Sequence, residues 1–291
     1  MITLHLFDTL IKPILLYNSD FWGCLKMPAN NPIEIMHMRF CKELLGVQKQ
    51  TSNTGVLLEL GRVPLMIHGK KNCIKNWGRI HVQEKGNKIV LLSHTSSIEK
   101  QLKWPQSVIE TLNRMGIGGR DINESVHQSA MQRMTDIFNQ AAFAEINRDE
   151  SKLRTYAKIK QEWGFETYLN TISNVERRTF LSKLRLSNHE LMIEKGRHQG
   201  LEINQRNCPF CLGNHLEDEI HFMFNCNTYS LIRAELNTKI EQILPRMQYT
   251  PIDQKMKALL SDINLVNLSG TYIKKAMELR KFILNKHKNT T

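Results

Sequence analysis

The sequence predicts a mainly α protein, and three observations carry that expectation. Apolar residues recur at three- and four-residue spacing along most of the 291 residues. Pro, Gly and Asn fall at the ends of these stretches, where helices start and stop. A composition of 41% hydrophobic and 23% charged residues is that of an ordinary chain able to pack a core.

Taken in order, Leu6, Leu10 and Ile14 share one helical face, and Pro13 is expected to kink or end that helix. Asn31-Pro32 reads as an N-cap followed by proline at the first helical position. Ile33, Met36, Phe40 and Leu44 then form an apolar stripe, Arg39, Lys42 and Glu43 face away, and Gly46 suits the end of the helix. A helix over 65–80 carries Lys70, Lys71, Lys75 and Arg79 among its apolar positions. From 85 to 123 the pattern weakens. Polar 93–97 and glycine-rich 116–119 suggest loops and a module boundary. Helical rhythm returns over 125–147 through Met131, Met134, Ile137, Phe138 and Ala142. Leu153, Tyr156, Ile159 and Trp163 form the next stripe, ending at Gly164. Asn174 can cap a helix bearing Val175, Phe180, Leu181 and Leu184. Two more helices are expected over 231–244 and 272–284, before a frayed tail at 286–291.

A formal net charge of +12 favours a polyanionic partner, nucleic acid above all. The opening apolar run is interrupted by Asp8, Lys12 and Pro13 and has no basic residues before it, so a secretory signal is not expected. No stretch reaches the roughly 18 apolar residues of a membrane span. The expectation is an intracellular protein, nuclear or cytoplasmic, with no membrane partner and no small-molecule substrate.

Of six cysteines, Cys24, Cys41 and Cys73 stand alone in apolar stretches, where a thiol serves as a small buried hydrophobe. The other three gather with histidine as Cys208-Pro-Phe-Cys211, His221 and Cys226. This C-x2-C-x9-H-x4-C spacing supplies the four N and S ligands of a structural zinc ion. Pro209 stiffens the first loop, Gly213-Asn214 lets the chain reverse, and H-x4-C spans about one helical turn. A short hairpin is expected here and nowhere else. Phe210, Phe222 and Phe224 can form a small apolar shell. His215 is the rival fourth ligand, but only three residues separate it from Cys211. Four protein ligands leave no position for a reactive water, which argues against a zinc hydrolase. Glu217, Asp218 and Glu219 read as a solvated face.

Upstream lie Arg177, Arg178, Lys183, Arg185, Lys195, Arg197, His198 and Arg206, candidates for contact with a phosphate backbone. Lys274, Lys275, Arg280, Lys281, Lys286 and Lys288 form a second basic set. Tyr156, Trp163 and Tyr168 could stack on bases, although Tyr156 and Trp163 fall on an apolar stripe and read better as core.

With these residues on view, the chain resembles a known family. Leu6-Phe7-Asp8-Thr9-Leu10-Ile11-Lys12-Pro13-Ile14-Leu15-Leu16-Tyr17 and Phe21-Trp22-Gly23 resemble the start of the thumb in non-LTR (LINE-type) retrotransposon reverse transcriptases. Met38-Arg39-Phe40-Cys41-Lys42-Glu43-Leu44-Leu45-Gly46-Val47 resembles their later thumb helix. Ser151-Lys152-Leu153-Arg154-Thr155-Tyr156, Gly164-Phe165-Glu166 and Leu184-Arg185-Leu186-Ser187-Asn188-His189 resemble the approach to their zinc knuckle. The knuckle with trailing Tyr229, and the ending Leu279-Arg280-Lys281, are similar too. The order of these segments is more specific than any one of them.

The resemblance implies a thumb that grips template and primer, then a linker and knuckle that bind the element's RNA or its target DNA. It carries Cys208, Cys211, His221 and Cys226 over as zinc ligands, and Arg185, His189 and Arg197 as nucleic-acid contacts. The departure is catalytic. A polymerase needs closely placed aspartates for two magnesium ions, and here the aspartates are scattered with no adjacent pair.

The expected layout is a thumb-like helical region over 1–95, a variable helical linker over 96–150, and a basic helical region over 151–206. The CCHC knuckle follows over 207–230, then C-terminal helices over 231–291. The expected function is a non-catalytic, zinc-containing remnant that binds RNA or DNA. The alternative is a helical structural or partner-binding protein, or a transposon fossil with no such role.

Overall fold

Capping chemistry sets several helix starts as the sequence leads one to expect. In the computed structural model, which describes residues 2–28, 30–82, 88–118, 124–149 and 151–288, Asn31 Oδ1 accepts from Ile33 N at 2.9 Å and Asn174 Oδ1 from Arg177 N at 3.0 Å. The molecule is mainly α. Among the described residues, β pairing is confined to two isolated antiparallel bridges, Leu60 with Phe165 and Asn207 with Leu216. No described helix is long and apolar enough to cross a membrane.

Contacts gather the chain into two units, each drawn from two stretches of sequence: 1–40 with 62–142, and 41–61 with 143–291. This division differs from five consecutive regions. Its cause is the segment 41–61, whose apolar residues pair with a part of the chain a hundred residues away.

In the first unit the opening helix does not end at Pro13. Ile2–Leu6 passes through a π turn, Phe7–Ile11, into Lys12–Leu15, and Lys12 N bonds to Phe7 O. The wider register accommodates the residue that lacks an N–H. The apolar face of Leu6, Leu10 and Ile14 is exposed, whereas Phe7 and Leu16 are buried with Leu65. Phe7 stacks on Phe40 with centroids 4.1 Å apart. The helix Ser19–Trp22 lies so close to Leu65–Val82 that a Cβ on Gly23 would sit 2.0 Å from Gly69 O; only glycine fits.

The second core cluster of this unit joins Cys24, Cys73, Ile74, Trp77, Val108, Leu112 and Met134. Cys24 and Cys73 are hydrogen-bonded neighbours here, a pairing that spacing in sequence did not suggest. Within the weakly patterned region the polar run is helical, whereas glycine-rich 116–118 is non-helical, as expected. Lys88–Glu99 includes the polar run 93–97, and Lys103–Arg114 follows. Thr95 and Ser97 donate to carbonyls of their own helix, Leu91 O at 3.0 Å and His94 O at 2.6 Å, so their polarity is satisfied without a loop. Residues 85–87 and 119–123 of that region lie outside the described set.

In the second unit, Val175–Arg185 packs along Val266–Lys288, and Ser230–Ile243 packs on the same long helix. Tyr156, Tyr168, Leu181, Leu184, Tyr272 and Ile273 lie in the core. The stripe that includes Trp163 stops early. Arg154–Ile159 is short because Lys160 turns inward to Gly164 O at 2.7 Å and Glu166 Oε1 at 2.5 Å. Trp163 is consequently exposed, not core.

Candidate metal centre and its surroundings

Two local structures bring the cysteine cluster together. The first is a short hairpin in which Cys208 N donates to His215 O at 2.8 Å and Glu217 N to Arg206 O at 3.0 Å. Gly213 has φ 114°, a backbone conformation that glycine adopts without strain, and it reverses the chain there. The second is a π turn, His221–Asn225, closed by Cys226 N on His221 O at 2.8 Å. An α turn repeats at 3.6 residues; the wider π turn suits the five-residue spacing of His221 and Cys226.

The result is a four-ligand cluster. The sulfurs of Cys208, Cys211 and Cys226 and one imidazole nitrogen of His221 all lie within 4.8 Å of one another. Cys208 Sγ is 3.8 Å from Cys226 Sγ, which is 3.7 Å from Cys211 Sγ; Cys211 Sγ is 3.4 Å from His221 Nε2. A tetrahedron with bonds of about 2.3 Å to sulfur has sulfur–sulfur edges of about 3.8 Å. The spacing therefore suits one metal ion. His215 stacks beside His221 at 5.9 Å, but it is exposed and stands outside the set.

Electrostatics points the same way. Burial pushes the Cys208 thiol up to about 12 and the Cys211 thiol upward. Three sulfurs this close resist ionisation unless a cation compensates them. Burial also lowers the pKa of His221, which favours the neutral imidazole that ligates metal.

Glu217 and Glu219 do not form a solvated face; each is 1% exposed. Glu217 accepts from Met192 N at 2.7 Å and from Arg280 Nη2 at 2.6 Å. Glu219 accepts both hydrogen bonds of Arg154 Nη2 at 2.8 Å and pairs with His189 Nε2 at 2.9 Å. Burial opposes its charge, yet the hydrogen bond and charge of His189, with Arg154, hold its carboxyl down at about 2. Asp218 accepts from His221 N at 2.7 Å and so steadies a ligand. The acidic run fastens the knuckle to the unit. The partners of Glu217 and Glu219 are distant in sequence, so no local pattern shows them.

The aromatic shell differs in membership. Phe222 is buried against Tyr229 at 5.1 Å and Tyr272 at 5.9 Å, and Phe210 meets the edge of Tyr229. Phe224 lines a separate cavity with Arg233 and Ile240.

The basic residues separate into three groups. Arg185 is fully buried, bound to Glu59 and Glu166, and cannot meet a phosphate. His189, with a side chain 2% exposed, is likewise committed to Glu219. Both expectations are corrected: an internal carboxylate won each cation. Arg178 turns to the carbonyls of Leu169 and Ile172, and Arg206 to those of Leu201 and Ile193, so their guanidiniums tie backbone. Arg177 and Lys183 are half-buried, with Lys183 over the Phe180 ring. Arg197 keeps a side chain 39% exposed while it pairs with Glu194. In the C-terminal set, Arg280 is buried on Glu217, Lys274 pairs with Glu176 and Lys275 with Glu235. Tyr156 and Tyr168 are buried and cannot stack on bases.

No protein-family model, curated protein or solved structure matches the chain.

Proposed function

We propose that the chain is the thumb-to-knuckle part of a non-LTR retrotransposon reverse transcriptase, acting without catalysis of its own. It holds RNA or target DNA by the phosphate backbone beside a structural zinc ion. The observation that carries this reading is the convergence of Cys208, Cys211, His221 and Cys226 within 4.8 Å in a chain of net charge +12. Three soft thiolates and one imidazole at tetrahedral spacing favour zinc over magnesium or calcium. Thiolate ligands also favour a reducing, intracellular compartment. The ordered segments that resemble the family, from Leu6 to Lys281, supply the rest of the support.

Such binding is backbone-led, so affinity falls linearly with the logarithm of salt and depends little on sequence. The test is fluorescence anisotropy with labelled single-stranded RNA, single-stranded DNA and nicked duplex across a potassium chloride series. A clear negative slope on at least one of them is expected. A slope of zero on all three removes the reading.

A second reading, a helical partner-binding protein, is favoured by one observation. Leu6, Leu10, Ile14 and Tyr17 expose a row of apolar side chains on the opening helix and the turn after it. That reading expects full zinc occupancy together with no nucleic-acid affinity.

A further inference from the structure

We infer that the strand's phosphates are held in a cleft of the second unit lined by Lys42, Lys49, Arg148, Lys152 and Arg197. This assignment rests on the nucleic-acid reading above and gives it a location that the sequence did not suggest. The cleft has a volume of ≈ 800 Å³. That is the scale of sites that enclose ligands of drug size, on the order of 300–1,000 Å³, and far more than one phosphate needs. Five cations line it from three separate stretches of sequence.

The charge there is crowded and largely uncompensated. Burial, and then the charge of Lys152, lowers the pKa of Lys42; burial, and then Arg197, lowers that of Lys152. Among the described residues neither ammonium pairs with a carboxylate. Lys42 Nζ donates to Lys49 O at 2.6 Å, and Lys152 Nζ to Gln50 O at 2.9 Å. Among the described residues no ion pair reaches Lys49 or Arg148, and both are exposed. The acid in the lining, Glu145, accepts from Thr54 Oγ1 at 2.7 Å. Arg197 has its partner in Glu194. Thr51, 3% exposed, forms part of the wall, and among the described residues its hydroxyl has no hydrogen-bond partner. A fold that gathers cations against their mutual repulsion calls for an anion to offset them.

The lining suits the oxygens of phosphate groups. Three of the five cations are lysines and two are arginines, and both bind phosphate, lysine as a point charge and arginine as a planar fork. Gln50, Ser52, Asn53 and Ser151 add polar groups for phosphate and sugar oxygens, and no aromatic residue is present to stack a base. The cleft therefore reads backbone, not sequence.

The cleft is tied to the metal centre through side chains. Arg197 pairs with Glu194, Glu194 with Arg154, and Arg154 with Glu219, two residues before the ligand His221. Arg197 and Arg154 share the one carboxylate of Glu194, so the knuckle helps to hold this wall of the cleft in place.

The experiment uses the full, zinc-loaded chain and the same labelled oligonucleotides. Lys49→Glu with Arg148→Glu, both exposed, is compared with Lys103→Glu plus Lys257→Glu, also exposed, which do not line the cleft. Zinc stoichiometry and the thermal melt are checked for each variant. The cleft variant is expected to lose at least about tenfold in affinity near 0.1 M salt, with the salt slope shallower by about 1.4 on single strands. The control is expected to change by less than about threefold. If the control weakens binding and the cleft variant does not, the cleft is the wrong surface while the nucleic-acid reading stands. If wild type shows no salt-dependent binding, both fall. Equal displacement of the oligonucleotide by polyglutamate at matched charge would assign the cleft to acidic protein and overturn the inference. Lys42→Gln with Lys152→Gln removes charge without reversal and is expected to lose affinity in the same direction.

Discussion

At Arg185 two demands compete, and burial decides between them. Its sequence neighbourhood suits phosphate binding, yet the guanidinium sits at zero exposure with Nε 2.7 Å from Glu59 Oε1 and Nη2 2.6 Å from Glu166 Oε2. Nη1 donates to Leu260 O at 2.6 Å. Burial works against the charge, but Glu59 and Glu166 outweigh it and keep the group ionised. Tyr168 donates to the same Glu59 at 2.6 Å, so one carboxylate organises the centre of the unit. Arg185→Met leaves the buried Glu59 without its cation, while Glu166 keeps Lys160, and is expected to destabilise the second unit by about 3–5 kcal/mol, read from urea unfolding. Adding Glu59→Gln to that variant is expected to restore part of the loss, because the orphaned charge goes with it. A double variant no better than the single would refute this account of the pair.

The knuckle is an element tied in on several sides. Tyr272 donates to Phe222 O at 2.8 Å, and Arg233 to Met223 O at 2.9 Å and Cys226 O at 2.7 Å. Arg280 reaches back from the last helix to Glu217. Cys226→Ser is expected to abolish metal binding, measured by stoichiometry in protein purified under reducing conditions, since a hydroxyl is a poor substitute for a buried thiolate. From spacing alone, the resulting disorder is expected to stay within 207–230. These hydrogen bonds instead predict that exchange of backbone amides also rises in Ser230–Ile243 and around Tyr272 of the last helix. Protection unchanged outside 207–230 would show that the ties carry little energy.

For the molecule as a whole, acid acts most directly on the first unit. His68 accepts from Lys12 Nζ at 3.4 Å, and burial, with Lys12 and Arg62 nearby, brings its pKa down to about 4. Burial lowers that of His37 as well, although Glu34 opposes the shift. For a base, a lowered folded value means that the unfolded chain takes up protons first. Stability is therefore full above about pH 6.5, falls between 6.5 and 4, and levels off below 4 for His68. The loss is on the order of 2 kcal/mol after discount for the part-exposed ring. Trp22, Trp77 and Trp104 all belong to this unit and report its unfolding by fluorescence. His68→Gln is expected to flatten the curve over that window; an unchanged curve would place the dependence elsewhere.

The helical class and most helix positions were legible in the sequence, because periodicity and caps are local: Asn31 with Pro32, Asn174, and the repeat over 125–147. The four residues that could hold a metal ion were legible too, since soft donors at knuckle spacing are rare and their chemistry is narrow. What the tertiary structure decided is which face turns inward and which cation meets which acid. Leu6, Leu10 and Ile14 are periodic yet exposed. Arg185 and His189 look free until Glu59 and Glu219 arrive from 126 and 30 residues away. The cleft cations come from three segments with no shared motif. Burial and charge pairing depend on distance in space, and a one-dimensional pattern carries that information only where the partners are also neighbours along the chain.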